Sequence, residues 1–202
     1  MPKLRPDLAT TVAPRAPDNS YAYKASLIGA AHRFELTDDG LSWRTGARSG
    51  LCPYPDIAAI RLSYRPVSMQ SRRFRADIEC ADGQGIVVLS TSWQTAALMA
   101  PQDHDYRAFI VQLHERIAKA GSRAALIAGI GRTSYVAALV FSALVGVAIA
   151  GLLFRSIATG EWAGALFLVG FAGLFAWQIG GFIVRNRPRT YSFDHLPEAL
   201  LP

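Results

Sequence analysis

The stretch 134-SYVAALVFSALVGVAIAGLLF-154 contains no charged side chain, and after a short connection 162-WAGALFLVGFAGLFAWQIGGFIV-184 contains none either. At ~1.5 Å of rise per residue, each run is long enough as a helix to cross a hydrocarbon layer of ~30 Å. Helices buried in soluble domains rarely run so far without a charge, so both runs are expected to be transmembrane. The connection from Arg155 to Glu161 is too short for anything but an antiparallel hairpin.

Working outward, the rest of the chain looks different. Of its 202 residues 51% are hydrophobic, with a net charge of +6, and the apolar residues are segregated rather than spread. Basic residues flank the hairpin at its outer ends: Arg116, Lys119, Arg123 and Arg132 before it, Arg185, Arg187 and Arg189 after it. The connection has one arginine and one glutamate. This distribution predicts both termini in the cytoplasm, with the loop outside. The expected divisions are a disordered tail over 1–19, a cytoplasmic domain over 20–121, and a juxtamembrane connector over 122–133. The first helix covers 134–154, a periplasmic loop 155–161, the second helix 162–184, and a cytoplasmic tail 185–202. The connector contains Gly129 and Gly131, so it either lets the domain swing or extends the first helix. The final segment is apolar enough to dock on its own domain or on another protein. The N-terminal tail, rich in Pro, Ala and Thr, has no apolar run and is no signal peptide.

Within the spans, Ala138, Ser142, Gly146 and Ala150 recur every fourth residue, as do Ala172, Ala176 and Gly180. Small residues at that spacing let helix backbones approach closely in lipid. The stripes are expected to join the two helices of one chain; the alternative is a homo-oligomer. Gln178 is the only amide in the spans, too little polarity for a channel or transport pathway.

The region from 20 to 120 reads as strands closed by a helix. Phe34–Thr37 and Leu41–Arg44 alternate apolar and polar around Asp38-Asp39-Gly40, a hairpin signal. Ile57 to Tyr64 and Phe74 to Cys80 alternate similarly, and Asp82-Gly83-Gln84-Gly85 turns into the short strand Ile86–Leu89. Tyr106, Phe109, Ile110, Leu113 and Ile117 then form a helical stripe that Asp103 or Asp105 is placed to cap. With its "FELTDDGLSW" hairpin, "PYPDIAAIRL" strand, "DGQG" turn and closing "DYRAFIVQLHERI" helix, this half of the chain resembles bacterial PH-like domains. The resemblance implies an α+β fold, a bent antiparallel sheet or barrel with a C-terminal capping helix, here followed by the transmembrane hairpin, and with it a bacterial-type inner membrane as the expected location. It does not by itself imply lipid binding, since that scaffold also binds peptides and self-assembles.

The richest polar feature is the set Arg61, Arg65, Arg72, Arg73 and Arg75. If the two strands pair around residues 66–71, Arg61, Arg65, Arg73 and Arg75 share an outer face. Guanidinium forks suit phosphate oxygens, and a domain tethered beside the cytoplasmic leaflet brings them to anionic lipid. Asp77 and Glu79 lie beside that face, so a simply solvated surface is the competing reading. No aromatic platform accompanies the arginines, which argues against nucleic acid. His32, His104, His114 and His195 form no arrangement with a nucleophile or carboxylate, and no phosphate-cradling glycine loop is present, so no enzyme is expected. Cys52 and Cys80 fit no metal spacing and read as small buried apolar residues in a reducing compartment, although a disulfide between them stays open. No metal or cofactor is expected. The partners implied are the membrane itself, an anionic lipid or protein ligand, and a second copy of the chain.

Overall fold

The computed structural model describes residues 19–66, 72–95 and 98–202. The expected N-terminal tail lies outside them except for its last residue. The first strands are β1 (Ser20–Tyr23), β2 (His32–Leu36), β3 (Leu41–Thr45) and β4 (Arg48–Cys52), an antiparallel sheet in that order. Alternation sets its faces. Tyr21, Tyr23, Phe34, Leu36, Leu41 and Trp43 point into the core, and the expected hairpin pairs Phe34 with Trp43 and Leu36 with Leu41. Its turn needs glycine: Gly40 has φ +155°, and a Cβ there would collide with the Cys52 carbonyl.

The second sheet contains β5 (Ile57–Tyr64), β6 (Phe74–Cys80) and β7 (Gly85–Leu89), antiparallel as the patterning predicts. A short ribbon, β8 (Thr91–Thr95) with β9 (Leu98–Pro101), leads to helix α1 (Asp103–Lys119). The entire predicted stripe of α1 is buried in the core, and His114 with it. The cap differs from expectation. Gln102 takes the N-cap position without a side-chain bond, and Asp103 and Asp105 sit in the first turn, where the helix dipole favours acids.

The sheets do not close into a barrel. The outward carbonyls of β7 instead receive side chains: the Tyr21 hydroxyl donates to Leu89 O at 2.6 Å and the Tyr23 hydroxyl to Val87 O at 2.7 Å. Cys52 and Cys80 are joined in a disulfide, which ties the end of β4 to the end of β6. The reading of these cysteines as independent apolar residues is thereby corrected. Both are buried, but as one covalent bridge between sheets.

The segment read as a connector is a strand. β10 (Ala125–Ala128) lies parallel to β5 and packs Leu126 and Ala128 into the core. It is followed by helix α2 (Arg132–Ala158), then α3 (Trp162–Arg185), then β11 (Arg189–Thr190), which pairs with β10. The five-stranded sheet thus runs β11-β10-β5-β6-β7. The final segment folds back onto its own domain: Leu200 and Leu201 enter the core, and the Arg107 guanidinium donates to Pro202 O at 3.1 Å.

The two long helices are apolar enough to cross a membrane. They extend beyond the charge-free runs, because the Arg155 carbonyl still accepts from Thr159 N and Gly160, at φ +76°, ends the helix. Most of their surface is exposed, with Phe154 at 76% and Leu166 at 78%. The two helices pack on each other, and their less exposed residues include Tyr135, Ala138, Ser142, Val145 and Ile149 of α2 and Ala165, Leu168, Ala172, Phe175 and Ile179 of α3, which marks the seam. That seam has the spacing of about 3.5 residues found in antiparallel pairs, not of four. Ala138, Ser142 and Ala172 of the predicted stripes therefore face the partner helix, whereas Gly146, Ala150 and Ala176 are exposed. Gly180 is half-buried, with open space around its α-carbon.

Candidate functional site at the helix exit

Both long apolar helices leave the domain at one place, the C-terminal end of β5. Gly129 follows β10 and donates its N–H to Leu62 O at 2.7 Å. Its φ is +87°, and a Cβ would collide with the Asn186 carbonyl. Asn186 stands at the end of α3 and is fully buried. Its Oδ1 accepts from Tyr64 N at 3.0 Å, and its Nδ2 donates to Tyr64 O at 2.8 Å and to Phe182 O at 3.2 Å. One side-chain amide thus takes the place of a strand partner for Tyr64. Its own carbonyl accepts from Ile130 N at 3.2 Å. The Arg185 guanidinium lies 5.0 Å from the centre of the Tyr64 ring, within cation–π range. A swinging connector is excluded by these contacts: hairpin and domain are bonded at the point where they meet.

This joint collects arginines from three segments. Arg65 follows Tyr64, and its N–H donates to Arg73 O at 2.8 Å, so Arg72 and Arg73 lie alongside. Arg132 opens α2, and Arg185, Arg187 and Arg189 follow from α3. Arg65, Arg72, Arg132, Arg187 and Arg189 are exposed. The contributing stretches 62–74, 129–140 and 182–191 contain no aspartate or glutamate. Of the turn between Arg65 and Arg72, residues 67–71 lie outside the described part of the chain.

The five arginines singled out from sequence separate accordingly. Arg61, Arg73 and Arg75 alternate with the buried residues of β5 and β6, and Arg65 continues that alternation opposite Arg73, but their charges are not equally available. Arg75 forks onto the Asp77 carboxylate, with Nε to the two oxygens at 2.8 and 3.0 Å. Arg61 is directly across from Asp77 in the ladder. Arg73 is half-buried, its Nε donating to Thr91 Oγ1 at 3.1 Å and its Nη2 to Met99 Sδ at 3.1 Å. Of the five, Arg65 and Arg72 are exposed and have no acidic residue opposite them in the ladder, and they lie just after β5 and just before β6, at the helix exit. Sequence reading used the arginines after α3 to set the orientation of the hairpin and passed over Asn186. A buried amide placed just after an apolar helix was the available signal.

The histidines stay apart. His114 is buried between α1 and the C-terminal segment; its Nδ1 lies 2.7 Å from Ile110 O and its Nε2 2.9 Å from the Tyr191 hydroxyl. Burial pulls its pKa below the ordinary value, partly opposed by the bond to Ile110. His32 Nδ1 is 3.2 Å from the Tyr23 hydroxyl, and burial pushes that phenol up to about 12 despite Arg75 and Arg73 nearby. Among the described residues no group of His, Cys, Asp and Glu is arranged to hold a metal ion. Gln178 is exposed on α3. Comparison with family models, with curated proteins and with solved structures finds no match to this chain.

Proposed function

We propose that this is a non-enzymatic inner-membrane protein of bacterial type, whose PH-like domain is clamped against the cytoplasmic leaflet and binds anionic lipid headgroups. The observation that carries the reading is the convergence of Arg65, Arg72, Arg132 and Arg187 on the helix exit, without a carboxylate in the contributing stretches. A helix exit lies at headgroup depth, so these cations stand where phosphates are, and each basic residue near an anionic surface contributes about 1 kcal/mol. The order of the elements supports the PH-like assignment: antiparallel strands over β1–β7, then α1 packed into the core. The excess of arginine on the domain side over the loop supports the cytoplasmic placement.

The test uses the full chain, because a fragment ending at residue 123 would lack β10 and the buried Leu200 and Leu201. Protein purified with lipid from a mixed bilayer is analysed for retained anionic and neutral lipid, and compared with Arg65→Ser/Arg72→Ser. The reading expects anionic lipid to be enriched, and the enrichment to fall about fivefold per arginine removed and further as salt rises. Equal retention by both proteins would overturn lipid binding and turn the search for a ligand to proteins.

A second reading has its own observation. Gly146 and Gly180 have open space around their α-carbons. Such residues suit close contact with the helices of a second copy. Cross-linking in the bilayer is expected to yield a homo-oligomer that Gly146→Leu disrupts, and an unchanged monomer would remove this reading.

A further inference from the structure

The Cys52–Cys80 disulfide joins two sheets that no strand ladder connects. β4 is an edge strand, paired with β3 alone. Beyond the disulfide, it reaches the β6–β7 turn through Arg48, whose Nη2 donates to Gln84 Oε1 at 3.3 Å on the surface. Beside this contact runs a cleft of about 460 Å3, bounded by both cysteines and lined by Arg48, Ser49, Asp82 and Gln84. The sulfur-bearing residues are buried, but they form a wall of a polar opening sized for a small molecule. The arginine distribution, meanwhile, places the domain in a compartment where thiols are kept reduced. A permanent structural disulfide does not fit that location.

We propose that Cys52–Cys80 is an exchangeable thiol–disulfide pair, opened and closed by a low-molecular-weight thiol of the glutathione class that enters this cleft. The thiolate attacks one sulfur of the pair, the protein S–S bond breaks, and a mixed disulfide forms as the other cysteine leaves as thiolate. A second small thiol attacks the mixed disulfide. The protein gains two electrons and two protons, and the two small thiols leave as their disulfide; closure runs the same steps in reverse. Arg48, exposed at the cleft, attracts the thiolate and carboxylates of such a molecule. Opening the pair frees the end of β4 from β6 and leaves the Arg48–Gln84 bond as the side-chain tie across the cleft.

This inference rests on the cytoplasmic placement, so the experiment reads both. The full chain is expressed in a bacterial inner membrane, and thiols are trapped by alkylation before and after a permeant oxidant that converts glutathione to its disulfide. Parallel spheroplasts receive protease from outside. The expected result is a protected domain whose Cys52 and Cys80 are alkylated at rest and at least tenfold less after the oxidant. In purified protein, Arg48→Ser is expected to slow exchange with glutathione disulfide severalfold. A protected domain whose cysteines do not respond to the oxidant would overturn the exchange while leaving the topology standing. A protease-accessible domain with a permanently closed bridge would overturn both.

Discussion

Among single residues, Asn186 has the most consequence. It satisfies both backbone groups of Tyr64 and a helix carbonyl from a fully buried position. Replacing it with Leu leaves the Tyr64 N–H and C=O buried without partners, each costing about 1–3 kcal/mol. Asn186→Leu is expected to lower the thermal midpoint of the full chain and to speed amide exchange at Tyr64 and Arg65; unchanged exchange there would show that the joint is not held by this side chain. His114 gives a pH dependence. Its pKa in the folded chain lies below the unfolded value, so the unfolded state takes up the proton first as pH falls. Stability is therefore fully present above about pH 6.5 and declines as pH falls below it. His32, lowered by burial in the same way, adds in the same direction. Melting curves between pH 7.5 and 5 should show the decline, and His114→Gln should flatten it. Neither residue was legible as important beforehand, because what distinguishes each is a partner from a distant segment.

At the level of elements, alternation and periodicity carried the reading as far as they reach. The β2–β3 hairpin, the pairing of β5 with β6 and the buried stripe of α1 follow from side-chain spacing. β10 was missed for a physical reason. It is only four residues long. It lies parallel to β5, which is separated from it by much of the domain, so no local turn announces the pairing. The C-terminal segment posed the same difficulty, since its apolar residues named no surface. The structure supplies one, and Leu200→Ala is expected to cost about 2–5 kcal/mol as a fully buried truncation. A shift in thermal midpoint measures it; no shift would mean that the segment does not stay docked. For the helices, charge-free length was enough to find them; of the four-residue stripes, Ala138, Ser142 and Ala172 lie on the less exposed side, and Gly146, Ala150 and Ala176 do not. Bulkier residues such as Val145, Leu168 and Phe175 share the seam with the small ones.

For the molecule as a whole, the disulfide, the joint and the docked C-terminal segment make hairpin and domain one unit. With a sequence separation of 28 between its cysteines, the closed bridge is expected to stabilise the fold by roughly 3–4 kcal/mol. Melting with and without reductant tests that figure, and identical midpoints would show that the bridge constrains little. On the proposed reading, a unit fixed in this way would hold its arginines at a constant depth in the bilayer, which a swinging domain could not do. The arginine set itself was visible in sequence, but not the ion pair that occupies Arg75 or the three-segment convergence proposed here as the cationic site in place of the sheet face. The most direct test of that account is depth. A fluorescent amino acid incorporated at position 72 or at position 83, toward opposite ends of β6, is read in bilayers whose lipids have a quencher on the headgroup. The account predicts strong quenching at 72, stronger with anionic than with neutral quencher lipid, and weak quenching at 83. Equal quenching at the two positions, or no preference for anionic lipid at 72, would contradict it.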